Sequence, residues 1–184
     1  MTQTMSKVMT GRVWKFGDNI DTDIIAPGDT ISFGLGDEEE RRVVKENAFR
    51  AVRPAFYKQV RQGDILVAGR NFGLGSHREP ANTVLVNLGF AAVIAESIAR
   101  LFFRNAVAIG FHALEVPGIT GMVEEGDELK IDVERGQLVN LTSGKEAAIE
   151  PYSELIRGII NAGGILEVLK ARVESDRRQG KFRA

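Results

Sequence analysis

The chain contains no cysteine. Disulfides, thiolate-held zinc, a cysteine nucleophile and a cysteine-ligated iron–sulfur cluster held by this chain alone are therefore excluded. Histidine is nearly as scarce: His77 and His112 are the two in 184 residues, too few for a histidine-rich metal site. An excess of one charge is also missing. The 24 basic and 25 acidic residues leave a formal net charge of -1, which gives no electrostatic footprint for nucleic acid or an anionic membrane. The longest apolar stretches, around residues 84–94 and 106–114, fall short of the roughly 18–20 residues of a membrane span. Residues 1–10 carry one lysine and no apolar core of a secretory signal, so a cytoplasmic location is expected.

What the chain does have is glycine, 20 residues in all, well above the usual share of about 7%. Tight turns and close backbone approaches are expected. Hydrophobic residues at 43% and charged residues at 27% are ordinary for a folded globular chain. The length suits a single domain over residues 1–184, with a core over about 10–170 and a charged, frayed tail over 172–184.

Residues 11–16 alternate polar and apolar and read as a strand, followed by the turn-forming run Gly17-Asp-Asn-Ile-Asp-Thr-Asp23. Helices are expected over 38–49 and 54–62, the second with Pro54 at its start and Gly63 past its end. Ile65-Leu-Val-Ala68 reads as a buried strand, residues 81–88 as a helix ended by Gly89, residues 91–95 as a second buried strand, and residues 97–107 as a further helix. This βαβα order implies a parallel pair. Later, residues 129–133 and 138–141 flank a turn and form a β-hairpin, and residues 152–161 form a helix that Gly163-Gly164 ends. Residues 165–172 continue as a short helix or extended segment. The fold class is α/β.

The chemistry-bearing segment is Gly73-Leu-Gly-Ser-His-Arg-Glu-Pro80, between a buried strand and a helix. Loops at the carboxyl ends of parallel strands are common ligand positions. Two readings stay open on the residues alone. In one, Ser76 caps the helix, Glu79 completes a capping box and Arg78 is solvated. In the other, helix N–H groups and the Arg78 fork hold a small anion, and Ser76 acts on it. A dinucleotide fingerprint fails because Arg78 stands where its third glycine belongs, and no Walker motif is present.

Three segments in order, residues 11–28, 63–79 and 95–106, resemble the swivelling small subunit of the aconitase superfamily, isopropylmalate dehydratase type. The resemblance covers roughly residues 10–170. It implies a swivelling β/β/α domain with a short parallel βαβα core and a C-terminal β-hairpin plus helix. It implies no cofactor on this chain and a [4Fe–4S] cluster in a large subunit, joined as a heterodimer or heterotetramer. The reaction implied is dehydration and rehydration of a small hydroxy di- or tricarboxylic acid. Ser76 would be the catalytic base, and Arg78, His77 and Gly75 would bind substrate. Asp23 and Asp21 would sit behind them, and Ile31, Ser32 and Phe33 would form a specificity loop. The pattern departs from the family at His77, in place of a second serine, at Pro80, in place of a histidine, and at Leu74, where Cys or Glu is common. No arginine follows Gly28 before Arg41. These departures bear on the substrate, for which 3-isopropylmalate, a homoaconitate-type acid and a substituted malate compete. A non-catalytic, anion-binding regulatory subunit is the alternative from another class.

Overall fold

The structure, a computed structural model, describes residues 8–31 and 37–181. Ser32 and Phe33 of the specificity loop, and the last three residues of the tail, therefore lie outside the described residues. In chain order the strands are β1 (Val8–Lys15), β2 (Ile65–Ala68), β3 (Ala92–Ala95), β4 (His112–Glu115), β5 (Glu128–Asp132), β6 (Gln137–Asn140) and β7 (Glu146–Ala148). The helices are α1 (Thr22–Ile25), α2 (Glu38–Asn47), α3 (Pro80–Leu88), α4 (Arg100–Ala108), α5 (Ile119–Met122), α6 (Glu154–Asn161) and α7 (Ile165–Arg178).

β2 and β3 are buried at every position, as expected of apolar strands covered on both faces. They form a parallel sheet with β1 and β4, in register Val13↔Ile65, Ile65↔Ala92 and Ala92↔His112. The first half of β1 pairs on its other edge with β5, antiparallel, at Gly11↔Leu129. The order is β4-β3-β2-β1-β5-β6-β7.

Period-two alternation sorts the core into two clusters. Leu66 and Ala68 pack with Val44, Val84, Leu85 and Phe102 of the helices. Ile65 and Val67 pack with Leu129, Ile131 and Leu138 of the antiparallel strands. The antiparallel half therefore folds over the sheet face opposite the helices, giving helix, sheet and sheet layers.

Several local expectations change. Residues 54–62 hold only a 3-10 turn at Phe56–Lys58. Ala55 takes a left-handed conformation, φ 55°, which turns Phe56 into an aromatic cluster. Its ring lies 4.9 Å from Trp14 and 5.4 Å from Phe49. That packing outweighs local helix propensity. The third-motif helix begins at Arg100 rather than Ser97, because Ser97 is held in the loop after β3. β4, α5 and β7 have no counterpart in the sequence reading. α7 runs to Arg178, through much of the segment expected to fray. Its charged face supports itself through pairs four residues apart, Arg172–Asp176 and Glu174–Arg178.

His112 is buried at 3% exposure, stacked on Tyr152 at 6.0 Å, and its Nδ1 has no partner among the described residues. Burial lowers this imidazole from 6.5 to about 4. The unfolded chain thus binds a proton in that interval that the folded chain refuses. The contribution is full above pH 6.5 and is lost as pH falls toward 4, a difference of about 3 kcal/mol. Urea unfolding between pH 7 and pH 4 should show the wild type losing about 3 kcal/mol more than His112→Phe. Parallel losses in the two proteins would contradict this.

Candidate active site

Strands β1, β2 and β3 run parallel, so their carboxyl ends lie at one edge. Each continues into a loop there, over residues 16–22, 69–79 and 96–99. The middle loop is bonded to both neighbours. Toward the first loop, Gly69 N–H donates to Gly17 O (3.1 Å), Asn19 N–H to Arg70 O (2.8 Å), Gly73 N–H to Ile20 O (2.7 Å) and Thr22 N–H to Leu74 O (2.9 Å). Asp18 Oδ1 accepts from Arg70 N–H at 2.7 Å. Toward the third loop, Phe72 N–H donates to Ser97 O (3.0 Å) and Ala99 N–H to Phe72 O (2.8 Å). Ser97 Oγ accepts from Asn71 N–H at 2.9 Å.

Gly73 makes this lacing feasible. Its φ is +73°, and a Cβ there would stand 2.3 Å from Phe102 Cγ. Only a residue without a side chain fits between the loop and α4. The third loop is anchored in turn by Glu96, which accepts from Thr120 Oγ1 (2.6 Å) and Gly118 N–H (2.5 Å). Burial alone would raise its carboxyl, but these donors, with Arg70 nearby, hold it below the usual range.

Ser76 is not a helix cap. Its N–H donates to Thr22 Oγ1 at 2.9 Å, and α3 starts at Pro80 behind Glu79, with no side-chain cap. The capping-box reading fails because residues 76–78 are committed to loop contacts. Ser76 is half-buried, and no hydrogen bond engages its hydroxyl among the described residues. The N–H groups of His77, Arg78 and Glu79 also lack acceptors among the described residues. Arg78 Nη2 pairs with Asp23 Oδ1. A Cβ on Gly28 would lie 2.6 Å from Arg78 Nη1, so Gly28 leaves room for the guanidinium.

Ser76, Arg78, Gly75 and Asp23 are therefore brought together. Asp21 does separate work: its Oδ1 accepts from Ile24 N–H at 2.7 Å and caps α1. The His77 side chain is exposed, while its carbonyl accepts from Asn105 Nδ2 at 2.7 Å. Ile31 is half-buried against the helix-side core. Sequence reasoning left out the contact of Thr22 with the loop, and placed Arg104-Asn105 under the loop only behind general packing and subunit docking. Both sit inside recognised segments, but their bonds span 54 and 28 residues, so no local pattern announces them. Among the described residues the arrangement offers an unengaged alcohol beside amides without acceptors and an oriented guanidinium, a setting for an anionic substrate and for proton transfer. The chain has no cysteine, and no group of three or more His, Cys, Asp or Glu gathers among the described residues.

Residues 35–118 match the aconitase C-terminal domain. The chain is 45% identical over 161 residues to the 3-isopropylmalate dehydratase small subunit 1 of Archaeoglobus fulgidus, covering 88% of this chain and 96% of that one. It is 44% identical to the methanogen homoaconitase small subunit of Methanothermobacter thermautotrophicus, covering 88% and 91%. A crystal structure of 3-isopropylmalate dehydratase from Methanocaldococcus jannaschii superimposes with a TM-score of 0.85 at 34% identity, covering 94% of this chain and 99% of that one.

Gly73→Ala should destabilise the chain by about 2–5 kcal/mol in urea unfolding, from backbone strain plus overpacking. Gly118→Ala, with φ +87° but nothing within 4 Å of the new methyl, should cost only about 1 kcal/mol. Equal costs would show that contact with Phe102 does not constrain the loop.

Proposed function

The chain belongs to the aconitase superfamily, among the small subunits of 3-isopropylmalate dehydratase type, and from that premise we propose that it is the small subunit of a two-subunit cytoplasmic hydro-lyase that isomerises 3-isopropylmalate in leucine biosynthesis. The observation that carries the proposal is the Ser76 hydroxyl, half-buried and unengaged among the described residues in a loop otherwise held on both sides.

In this reading Ser76 works as an alkoxide. Its oxygen takes a proton from a substrate carbon, the C–H electron pair forms a C–C double bond, and hydroxide leaves the adjacent carbon. Hydroxide then adds to the carbon that lost its proton, and Ser76 returns its proton to the carbon that lost hydroxide, which regenerates the alkoxide. An unassisted serine hydroxyl is a very weak acid. The N–H groups of His77, Arg78 and Glu79, which have no acceptor among the described residues, and the Arg78 guanidinium favour its charged form. Arg78 also clamps a substrate carboxylate, and His77 N–H shares it. Gly75 keeps the backbone bare enough for close approach. Asp23 orients Arg78 through one guanidinium nitrogen, leaving the other donors for substrate. Asp21 steadies α1, which carries Thr22 and Asp23.

This chain's residues do not fit an iron–sulfur cluster, so the [4Fe–4S] cluster belongs to the large partner subunit in this proposal. A relative of nearly equal similarity is a homoaconitase small subunit, which favours a homoaconitate-type acid as the second substrate reading.

Co-purified with its large subunit, the protein should turn over 3-isopropylmalate in preference to homoaconitate-type and dimethylmalate-type acids, and the chain alone should be inactive. Ser76→Ala should lower kcat by about 10²–10⁴-fold while gel filtration shows the complex intact. A purely anion-binding subunit would instead tolerate Ser76→Ala and lose function only with Arg78→Ala.

A further inference from the structure

The Ser76 hydroxyl can act as a base only if it is aimed, yet its backbone neighbours are poorly suited to aim it. Gly75 has φ +104° and no side chain to hold it, and between Gly75 and Pro80 the loop makes no helix or strand ladder. Two side chains from different elements close this gap. Thr22, buried at 3% exposure, accepts the Ser76 N–H on its Oγ1 at 2.9 Å. The same residue donates its own N–H to Leu74 O (2.9 Å) and accepts Ala26 N–H (2.9 Å). On the other flank, Asn105 Nδ2 donates to His77 O at 2.7 Å from within α4. One bond fixes the peptide plane before Ser76; the other fixes the plane after His77. The plane between them, Ser76 C=O and His77 N–H, makes no hydrogen bond among the described residues.

We propose that Thr22 and Asn105 are positioning residues for Ser76, a two-sided backbone clamp that sets the direction of its hydroxyl. The inference rests on Ser76 being the base and adds the groups that place it. Neither side chain needs to touch substrate. Each acts by restricting torsions on one side of the reacting oxygen, where a misplacement of about 1 Å can cost 100-fold in rate.

The test is a double-mutant cycle in the complex with the large subunit. Thr22→Val keeps shape and removes the acceptor; Asn105→Leu removes the donor. Each should lower kcat by about 10–100-fold, and Thr22→Ser, which keeps the hydroxyl, should restore most of the loss. In a Ser76→Ala background, with residual turnover read at high enzyme concentration, either change should add less than about twofold, because the group being aimed is gone. Circular dichroism and gel filtration confirm folding and assembly, and Thr22→Ser with Asn105→Leu carries the test if Thr22→Val fails to fold. Full additivity, or no loss from the single variants while Ser76→Ala is crippled, would overturn the clamp alone. An unimpaired Ser76→Ala complex would overturn the base assignment and the clamp together.

Discussion

Strand β1 commits its two halves to opposite edges. Val8–Arg12 is bonded to β5 and Val13–Lys15 to β2, so the two sheets share one strand without lying in one plane. That division lets the antiparallel strands fold back over the parallel ones, burying Ile65, Val67 and Ile94 against Leu129, Ile131 and Leu138. It also leaves the carboxyl ends of β1 to β3 together at one edge. The site is a product of that edge: the loop after β2 is bonded to the loops after β1 and β3 because the strands feeding them are already in register.

The elements read well from sequence are those whose pattern is local. Ile65–Ala68 and Ala92–Ala95 are short apolar runs bounded by glycine, and Leu129 and Ile131 alternate with Glu128 and Lys130. What escapes is decided at a distance. β4 opens on a buried histidine, which masks its apolar run, and β7 is an edge strand of only three residues, Glu-Ala-Ala. Residues 54–62 read as a helix, yet Ala55 goes left-handed to seat Phe56 between Trp14 and Phe49. The capping box around Ser76 and Glu79 is locally sound and loses to the bond that Ser76 N–H donates to Thr22 Oγ1.

The candidate site divides the same way. Gly75, Ser76 and Arg78 lie within one four-residue segment that sequence singles out, and Asp23, in a recognisable turn, pairs with Arg78. Asp21, its neighbour but one, goes to helix capping instead, a difference of direction that spacing cannot express. Asn105 reaches the loop from α4 through a backbone carbonyl, a contact that leaves no mark on the identity of the residue it holds.

The double lacing of the middle loop bears on how such a protein diversifies. A segment bonded to neighbours along both sides tolerates neither insertion nor deletion without breaking a rung on each. A change of chain length there has to be matched in both flanking loops, whereas a change of side chain alone, as at Leu74 or His77, leaves the backbone rungs in place.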